Sequence, residues 1–318
     1  MPISEQWTKR KLGRTGMEVT PIGLGGAWMG YVGGKFDEGL ATATAGTALE
    51  LGVNLIDTSA SYQAGRSEVA IGAALEKWCS QGGRREDVII STKTGTRRHP
   101  SDYSAEATKR SVSESLQALK TEYLDILMVH DPESLQPVLA PHGAWRELIR
   151  MKEAGAVRAI GLGVRNNHLL HRIVETGQCD VILTYRDYHL LSRGAAGLVL
   201  PAASWRGVGV LNGMALMKGL LSGDDPRKAA EKMAASSADR PFGPAGGELA
   251  RATELWQWCQ DKGTSLLALA LQYCMREARI ASTLVGASTP EQIEADVKAA
   301  TQPIPQDIWR QIKHRFGI

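Results

Sequence analysis

Residues 53–62 read VNLIDTSASY, an apolar run that ends at Asp57 and is followed five residues later by Tyr62. The run has the length and composition of a short buried strand in a parallel sheet. The pattern recurs at residues 87–93, DVIISTK, where the run ends on Lys93. Because strand ends of a parallel barrel converge on the face where active sites form, we expect these polar side chains to lie together.

A third run, YLDILMVH at residues 123–130, ends on His130. The predicted strand ends and the loops after them thus carry an acid, a phenol, an amine and an imidazole. Titratable groups gathered in one cleft are typical of functional sites, and this set is suited to proton transfer. The pattern therefore predicts an enzyme.

The whole chain alternates between strand and helix signals, which predicts right-handed crossovers and a parallel sheet. Eight such units in 318 residues favour a single domain, residues 1–318, folded as an α/β (β/α)8 TIM barrel. The predicted strands are PIGLG (21–25), VNLID (53–57), DVIISTK (87–93), YLDILMVH (123–130), VRAIGLG (157–163), CDVILTY (179–185), GVGVLN (207–212) and ASTLVG (281–286).

Elements outside the barrel are expected at both ends of the chain. The turn-forming residues 13–16 predict an N-terminal β-hairpin, and residues from Pro290 onward predict C-terminal helices, with Thr289 as a cap. The dinucleotide fingerprint of an open sheet is absent, because Trp28 stands where the third glycine of GxGxxG belongs. We also expect helix 194–205 after the sixth strand and an irregular lid at residues 218–247 on the active-site face.

Composition excludes several classes of protein. With 37 basic and 34 acidic residues, the net charge of +3 argues against nucleic acid or membrane partners. The four cysteines form no CxxC pair and have no histidines at ligand spacing, so no metal site is predicted. The N-terminus lacks the apolar core of a signal peptide, and no run of about 18 apolar residues occurs. We expect a cytoplasmic protein.

The four strand-end residues suit the interconversion of a carbonyl and an alcohol. A free tyrosine has a pKa of about 10, and a nearby ammonium lowers it by favouring the phenolate. We expect Lys93 to act in this way on Tyr62, and Asp57 to hold Lys93 charged and oriented. His130 would donate a hydrogen bond to the substrate oxygen, which completes a general acid–base site.

The stretches GVNLIDTSASY, IISTKTG, LDILMVH and LVGASTPEQIEADV resemble the signatures of the aldo-keto reductase superfamily, over essentially the whole chain. The resemblance implies a (β/α)8 barrel that binds a nicotinamide dinucleotide without a Rossmann fold. It also implies a catalytic tetrad of Asp57, Tyr62, Lys93 and His130.

The second half, in DVILTYRDYHLLSR, GVGVLNGMALMKGLL and LALQYCMREARIASTLVG, is similar to the aldose 1-dehydrogenase group, which includes L-galactose, L-fucose and D-threo-aldose dehydrogenases. This similarity implies oxidation of a sugar at C1 to its lactone. A general aldehyde or ketone reductase, a cofactor-sensing regulatory subunit and a barrel glycosidase are the alternatives. A glycosidase needs two carboxylates, and the predicted strand ends offer only Asp57.

The cofactor-binding positions that the resemblance implies lie at strand ends and in the loop before the last predicted helix. They are Gly25, Gly26, Asp57, Asn212, Gly213, Met214, Gly286, Ala287, Ser288, Thr289, Gln292 and Asp296. Gly163 and Val164 replace the Ser-Asn pair of many members, and Gly213 replaces a stacking tyrosine.

The choice between NAD and NADP rests on the same loop. Gly286 and Gln292 stand where NADP-preferring members commonly carry Lys and Arg. A 2′-phosphate normally requires a fixed cation, so NAD is favoured. Hydrogen bonds from Ser288 and Thr289 to a 2′-phosphate leave NADP open.

The substrate partner is expected to be a small molecule. The resemblance to the aldose 1-dehydrogenase group implies that it is a sugar. The residues predicted to contact it are Trp28, Tyr62, His130 and Asp131. Trp28 offers an apolar wall for a sugar face, with a loop anchor as its alternative role. Asp131 either accepts a sugar hydroxyl or begins the turn DPES.

Overall fold

The structure is a computed structural model that describes residues 7–236 and 247–318. Its first elements are the antiparallel strands β1 (Arg10–Lys11) and β2 (Glu18–Val19), which form the predicted N-terminal hairpin. Leu12, Met17 and Val19 of this hairpin pack into the apolar cluster inside the barrel and close its N-terminal end. A Cβ added at Gly209 would lie 2.6 Å from Leu12 Cδ1, so a glycine is needed where the hairpin meets the seventh barrel strand.

Eight parallel strands close into a barrel within the described residues, which confirms the predicted fold. The first is β3 (Ile22–Gly25), and a second small hairpin, β4 (Tyr31–Val32) with β5 (Lys35–Phe36), follows it. The remaining barrel strands, each paired with the one before it, are β6 (Leu55–Asp57), β7 (Ile89–Thr94), β8 (Leu124–His130), β9 (Val157–Gly163), β10 (Val181–Tyr185), β11 (Gly209–Gly213) and β12 (Ser282–Val285).

Helices surround the barrel and bury its outer face. They are α1 (Glu38–Glu50), α2 (Arg66–Ser80), α3 (Ala105–Leu119), α4 (Gln136–Leu139), α5 (Ala144–Glu153), α6 (Asn167–Glu175), α7 (Val199–Arg206), α8 (Pro226–Ser236), α9 (Glu248–Asp261), α10 (Leu266–Met275), α11 (Pro290–Thr301) and α12 (Gln306–Phe316). Helix α11 begins as predicted, with Thr289 as its cap. Helix α12 extends the predicted helical C-terminus.

Two predicted segments differ from the structure. Helix α7 begins at Val199 instead of 194, because Gly194 and Gly197 favour turns and residues 189–192 form a tight bridge. Residues 218–247, predicted to be irregular, contain helix α8. Its Ala, Lys and Glu residues favour helix, and Asp225 Oδ1 accepts a hydrogen bond from the Arg227 N–H at its start. The rest of the predicted lid, residues 237–246, lies outside the described residues.

The described residues contain neither a membrane-spanning helix nor a metal-binding cluster. No helix in the described part of the chain has the length and apolar character that a membrane span requires. The same residues contain no group of three or more His, Cys, Asp or Glu side chains arranged to hold a metal ion.

Candidate active site

A buried ion pair joins the ends of β6 and β7. Lys93 Nζ donates to Asp57 Oδ2 at 2.6 Å and to the Thr58 carbonyl at 2.6 Å. Asp57 Oδ1 accepts a further hydrogen bond from Ser91 Oγ at 2.8 Å. Lys93 is 1% exposed and Asp57 is 3% exposed, so each charge relies on the other and on these fixed donors and acceptors.

The environment keeps Lys93 protonated. Burial lowers the pKa of the ammonium, but Asp57 and Tyr62 together raise it by more, and the net pKa lies above its ordinary value. The sequence-based expectation that Asp57 holds Lys93 charged therefore agrees with the geometry.

Tyr62 lies in the turn after β6 and faces both Lys93 and His130. Its ring centre is 5.0 Å from Lys93 Nζ and 5.6 Å from the centre of the His130 ring, in an edge arrangement. The next two residues, Gln63 and Ala64, have positive φ angles of 50° and 56°. Such backbone strain in non-glycine residues is commonly held at functional sites by the surrounding structure.

The pKa of Tyr62 differs from the expected low value. Burial raises the pKa of the phenol, and although Lys93 is the largest influence that lowers it, the net pKa lies above the ordinary value of 10.0. Asp57 and Asp131 add to the raising effect. Lys93 thus acts in the predicted direction without overcoming the cost of burying a phenolate.

His130 ends β8 and is held through its Nδ1 atom. Ser59 Oγ lies 3.0 Å and Thr96 Oγ1 lies 2.7 Å from Nδ1. Burial and the neighbouring Lys93 charge lower the pKa of the imidazole well below its usual 6.5, so the ring is neutral near neutral pH. The Asp131 carboxylate near Nε2 favours the tautomer with its proton on that atom, which is suited to donating to a substrate oxygen.

Tyr62 and His130 consequently bracket a position for one oxygen atom. A neutral imidazole donates a hydrogen bond there, and a phenol next to a fixed ammonium gives or takes a proton. The structure brings together the four residues that the sequence singled out. Ser59 and Thr96, which orient His130, were not predicted, because single hydroxyl residues in loops carry no periodic signal.

A second polar pair stands at the barrel mouth, and only half of it was predicted. Tyr185, the last residue of β10, donates its hydroxyl to Asp131 Oδ1 at 3.0 Å. Asp131 Oδ2 lies 3.6 Å from His130 Nε2. Burial raises the pKa of both Asp131 and Tyr185. Tyr185 ends an apolar run just as Lys93 and His130 do, so the same strand-end rule identifies it.

Trp28 lies across the mouth from this pair and is 44% exposed. A Cβ added at Gly286 would lie 3.8 Å from Trp28 Cδ1, so the loops after β3 and β12 adjoin. Lys218 Nζ lies 5.8 Å from the centre of the Trp28 ring, which brings the loop after β11 to the same place. An exposed indole, a cation and a glycine therefore meet at one edge of the barrel.

The loop before α11 satisfies several of its own polar groups. Gln292 Oε1 accepts a hydrogen bond from the Ser288 N–H at 2.7 Å, and Thr289 caps the helix. A hydrogen bond to Thr289 lowers the pKa of Glu291, so this exposed carboxylate is charged at the helix N-terminus. That charge is unfavourable to a phosphate placed beside it.

The predicted glycines at the end of β3 are closely packed. A Cβ at Gly26 would lie 2.6 Å from Ser67 Oγ. The Gly26 N–H donates a hydrogen bond to the Asp57 carbonyl at 2.7 Å. A Cβ at Gly25 would lie 3.2 Å from the Val285 carbonyl oxygen of β12. Both glycines therefore have a structural reason to lack a side chain.

Asn212 was proposed as part of the nicotinamide pocket, but its side chain points away from the barrel mouth. It is fully buried, and Nδ2 donates to the Tyr188 carbonyl at 3.0 Å. Leu211 faces the barrel interior, so the alternation of a strand turns Asn212 outward. Gly213 then faces inward beside Tyr185, and Met214 follows with a φ of 58°. A contribution of Asn212 to the pocket is limited to its backbone.

Two further predicted cofactor residues, Ala287 in the loop before α11 and Asp296 on α11, are buried. Ala287 is 1% exposed and belongs to the core. Asp296 on α11 is 6% exposed, and burial raises the pKa of its carboxyl to about 7. A carboxyl that is partly protonated near neutral pH can donate as well as accept a hydrogen bond.

Comparisons with known proteins identify the family of the chain. The model of the aldo/keto reductase family matches residues 21–315. The chain is 35% identical to L-galactose dehydrogenase of Arabidopsis thaliana over 300 residues, covering 92% of this chain and 88% of that protein. It is 27% identical to D-threo-aldose 1-dehydrogenase of a Pseudomonas species, covering 93% and 94%.

A solved structure has the same fold. The holo form of an aldo-keto reductase from Bacillus halodurans, AKR11C1, superimposes with a TM-score of 0.76 at 25% identity. The match covers 97% of this chain and 96% of that chain.

Proposed function

Because the chain belongs to the aldo/keto reductase family, we propose that it is an NAD-linked dehydrogenase that oxidises an aldose at C1 to its lactone. The single observation that carries the proposal is the buried arrangement of Asp57, Lys93, Tyr62 and His130 at the barrel mouth. Similarity to two aldose dehydrogenases over most of the chain supports a sugar as the substrate.

The edge formed by Trp28, Lys218 and Gly286 suits a dinucleotide. A cation and an exposed indole beside a residue without a side chain match the diphosphate and the flat rings of such a cofactor. Gly213 and the backbone of Asn212 end β11, the strand whose following loop carries Lys218. When bound, the nicotinamide ring supplies the acceptor for a hydride.

The protein's own residues handle the proton. His130 donates from Nε2 to the C1 oxygen and orients it between the imidazole and Tyr62. Tyr62 takes the proton from the anomeric hydroxyl as C1 loses its hydride, and the new carbonyl is that of the lactone. Lys93 stabilises the phenolate form of Tyr62 that accepts the proton, and Asp57 keeps Lys93 charged and in place.

NAD is favoured over NADP by the loop before α11. Gly286 brings no charge, Gln292 is engaged with the Ser288 N–H, and Glu291 adds a negative charge at the helix N-terminus. A carboxylate in such a place suits the neutral ribose hydroxyls of NAD better than a 2′-phosphate. We assign to Lys218, which lies beside Trp28, a contact with the diphosphate of the cofactor.

A panel of aldoses assayed with NAD and with NADP tests the proposal. Reduced-cofactor absorbance should rise with at least one aldose, a lactone should accumulate, and NAD should give the higher kcat/KM. Reduction of simple aldehydes without oxidation of any aldose would favour a general carbonyl reductase instead. Cofactor binding without turnover in either direction would favour a regulatory subunit.

A further inference from the structure

We infer that Asp131 and Tyr185 form a recognition pair that selects substrates with a hydroxyl group on the carbon next to the reacting carbon. The inference rests on the proposed function for the position of the reacting oxygen, between Tyr62 and His130. Beside that position lies a second hydrogen-bond acceptor, Asp131 Oδ2.

The distances between polar atoms set the spacing of the two substrate oxygens. His130 Nε2 and Asp131 Oδ2 are 3.6 Å apart. Hydrogen-bonded oxygens lie about 2.9 Å from a nitrogen donor and about 2.7 Å from an oxygen acceptor. A single molecule can therefore place one oxygen on Nε2 and the oxygen of the adjacent carbon on Oδ2.

The carboxylate has one oxygen engaged and one directed toward the site. Tyr185 donates to Oδ1, which fixes the plane of the carboxyl group, while Oδ2 is the oxygen on the side of His130. The Asp131 side chain is 40% exposed, so a ligand in the barrel mouth can reach it. A charged carboxylate only accepts hydrogen bonds, so it favours a hydroxyl and disfavours a hydrogen or a methyl group at that position.

The backbone holds Asp131 in a conformation that is uncommon for a residue with a side chain. Its φ is 43°, its N–H donates to the Gly163 carbonyl at 2.8 Å, and its carbonyl accepts from Tyr103 at 3.1 Å. Residues fixed in the left-handed region cost free energy and persist where the surroundings impose them, often at ligand-binding sites. The carboxylate is thus positioned before any substrate arrives.

Recognition of a substrate hydroxyl by Asp131 can be distinguished from a role in positioning His130 alone. Its distance of 3.6 Å from Nε2 exceeds a hydrogen bond, and Ser59 and Thr96 already hold the imidazole through Nδ1. If Asp131 only tuned His130, its loss would slow every substrate equally. If it recognises a second hydroxyl, its loss changes the ratio between substrates that differ in that group.

The test compares matched substrate pairs in the wild type and in variants of Asp131. The pairs are lactaldehyde against propanal in the reductive direction, and an aldose against its 2-deoxy form in the oxidative direction. D131N keeps the shape without the charge, and D131G removes the side chain where a positive φ suits glycine. Y185F removes the hydroxyl that fixes Oδ1.

We expect the wild type to prefer the 2-hydroxylated member of each pair, and both Asp131 variants to lower the kcat/KM ratio by about 10- to 100-fold, the range for a lost hydrogen bond to a charged group. Y185F should lower it by less. E133Q, which removes an exposed charge two residues away, should leave the ratio unchanged, and thermal unfolding should show that all variants fold.

An unchanged ratio in D131N and D131G would overturn the inference, as would a wild type indifferent to the 2-hydroxyl group. The aldehyde pair separates this outcome from failure of the proposed function. If no aldose is oxidised but lactaldehyde is still preferred over propanal through Asp131, the proposed function fails and the recognition pair stands.

Discussion

Lys93 Nζ lies 2.6 Å from Asp57 Oδ2 at the centre of the site, and both side chains are almost completely buried. A buried charge without its partner is strongly destabilising, so the pair holds a permanent positive charge beside Tyr62. Burial alone would make Tyr62 a poorer acid than free tyrosine. The Lys93 ammonium, held in place by Asp57, offsets part of the rise that burial causes in the pKa of Tyr62.

Replacing Lys93 by Met should move the Tyr62-linked limb of the pH–rate profile to higher pH and lower kcat. The phenol then loses the largest influence that lowers its pKa, while the burial that raises it stays. The pH dependence of kcat for the oxidative reaction measures the shift. An unchanged limb in a folded, partly active variant would remove Lys93 from this role.

Gln292→Arg should improve the use of NADP relative to NAD. A charge-assisted contact with a phosphate contributes about 1.5–3 kcal/mol, although the arginine must also replace the Gln292 hydrogen bond to the Ser288 N–H. The ratio of kcat/KM values for the two cofactors measures the effect, which high salt should weaken. Gln260→Arg, which adds the same charge on the exposed face of α9, is the control. A wild type that already binds NADP far more tightly would contradict the premise.

Lys218→Met should weaken cofactor binding and flatten its salt dependence. We expect Lys218 to contact a cofactor phosphate at the edge it shares with Trp28 and Gly286. The dissociation constant of NAD at several salt concentrations, followed by quenching of protein fluorescence, is the measurement. Lys228→Met removes a lysine from the exposed face of α8 and should have no effect. Equal behaviour of the two variants would exclude the contact.

The parts predicted correctly are those that depend on local sequence patterns. Strand β9 matches its prediction from Val157 to Gly163, and β8 ends on His130, because glycine and polar residues bound these runs. Strand alternation also explains why Asn212 points outward. Its neighbour Leu211 is an apolar residue that faces the barrel interior, so the next side chain must face the other way.

Other features depend on how distant segments meet. The contact between Lys218 and Trp28 joins loops that follow β11 and β3, and neither loop shows a periodic pattern. Helix α8 was missed because the flanking glycines and prolines of residues 218–247 outweighed its short run of helix-forming residues. The raised pKa of Tyr62 follows from burial, which no single stretch of sequence expresses.

Asp296→Asn should stabilise the protein more at pH 8 than at pH 5. Burial raises the pKa of this carboxyl to about 7 in the folded state, so the fold binds its proton more tightly than the unfolded chain does. The contribution to stability is full at pH values below the unfolded pKa of about 4 and is lost as the pH rises through the folded pKa, at about 1.4 kcal/mol per pKa unit. Thermal unfolding of wild type and variant at both pH values measures it. An equal difference at the two values would show that Asp296 has an ordinary pKa.

The most direct test of the central claim follows deuterium from C1 of an aldose that is a substrate in the panel. Wild-type protein and Tyr62→Phe are incubated with the labelled sugar and NAD, and the reduced cofactor is analysed by mass spectrometry. We predict that the wild type transfers the label to the nicotinamide and forms the lactone. Tyr62→Phe should do so about 10²- to 10⁴-fold more slowly while it still binds NAD. Unlabelled reduced cofactor, or wild-type kcat in Tyr62→Phe, would contradict oxidation at C1 with Tyr62 as the proton acceptor.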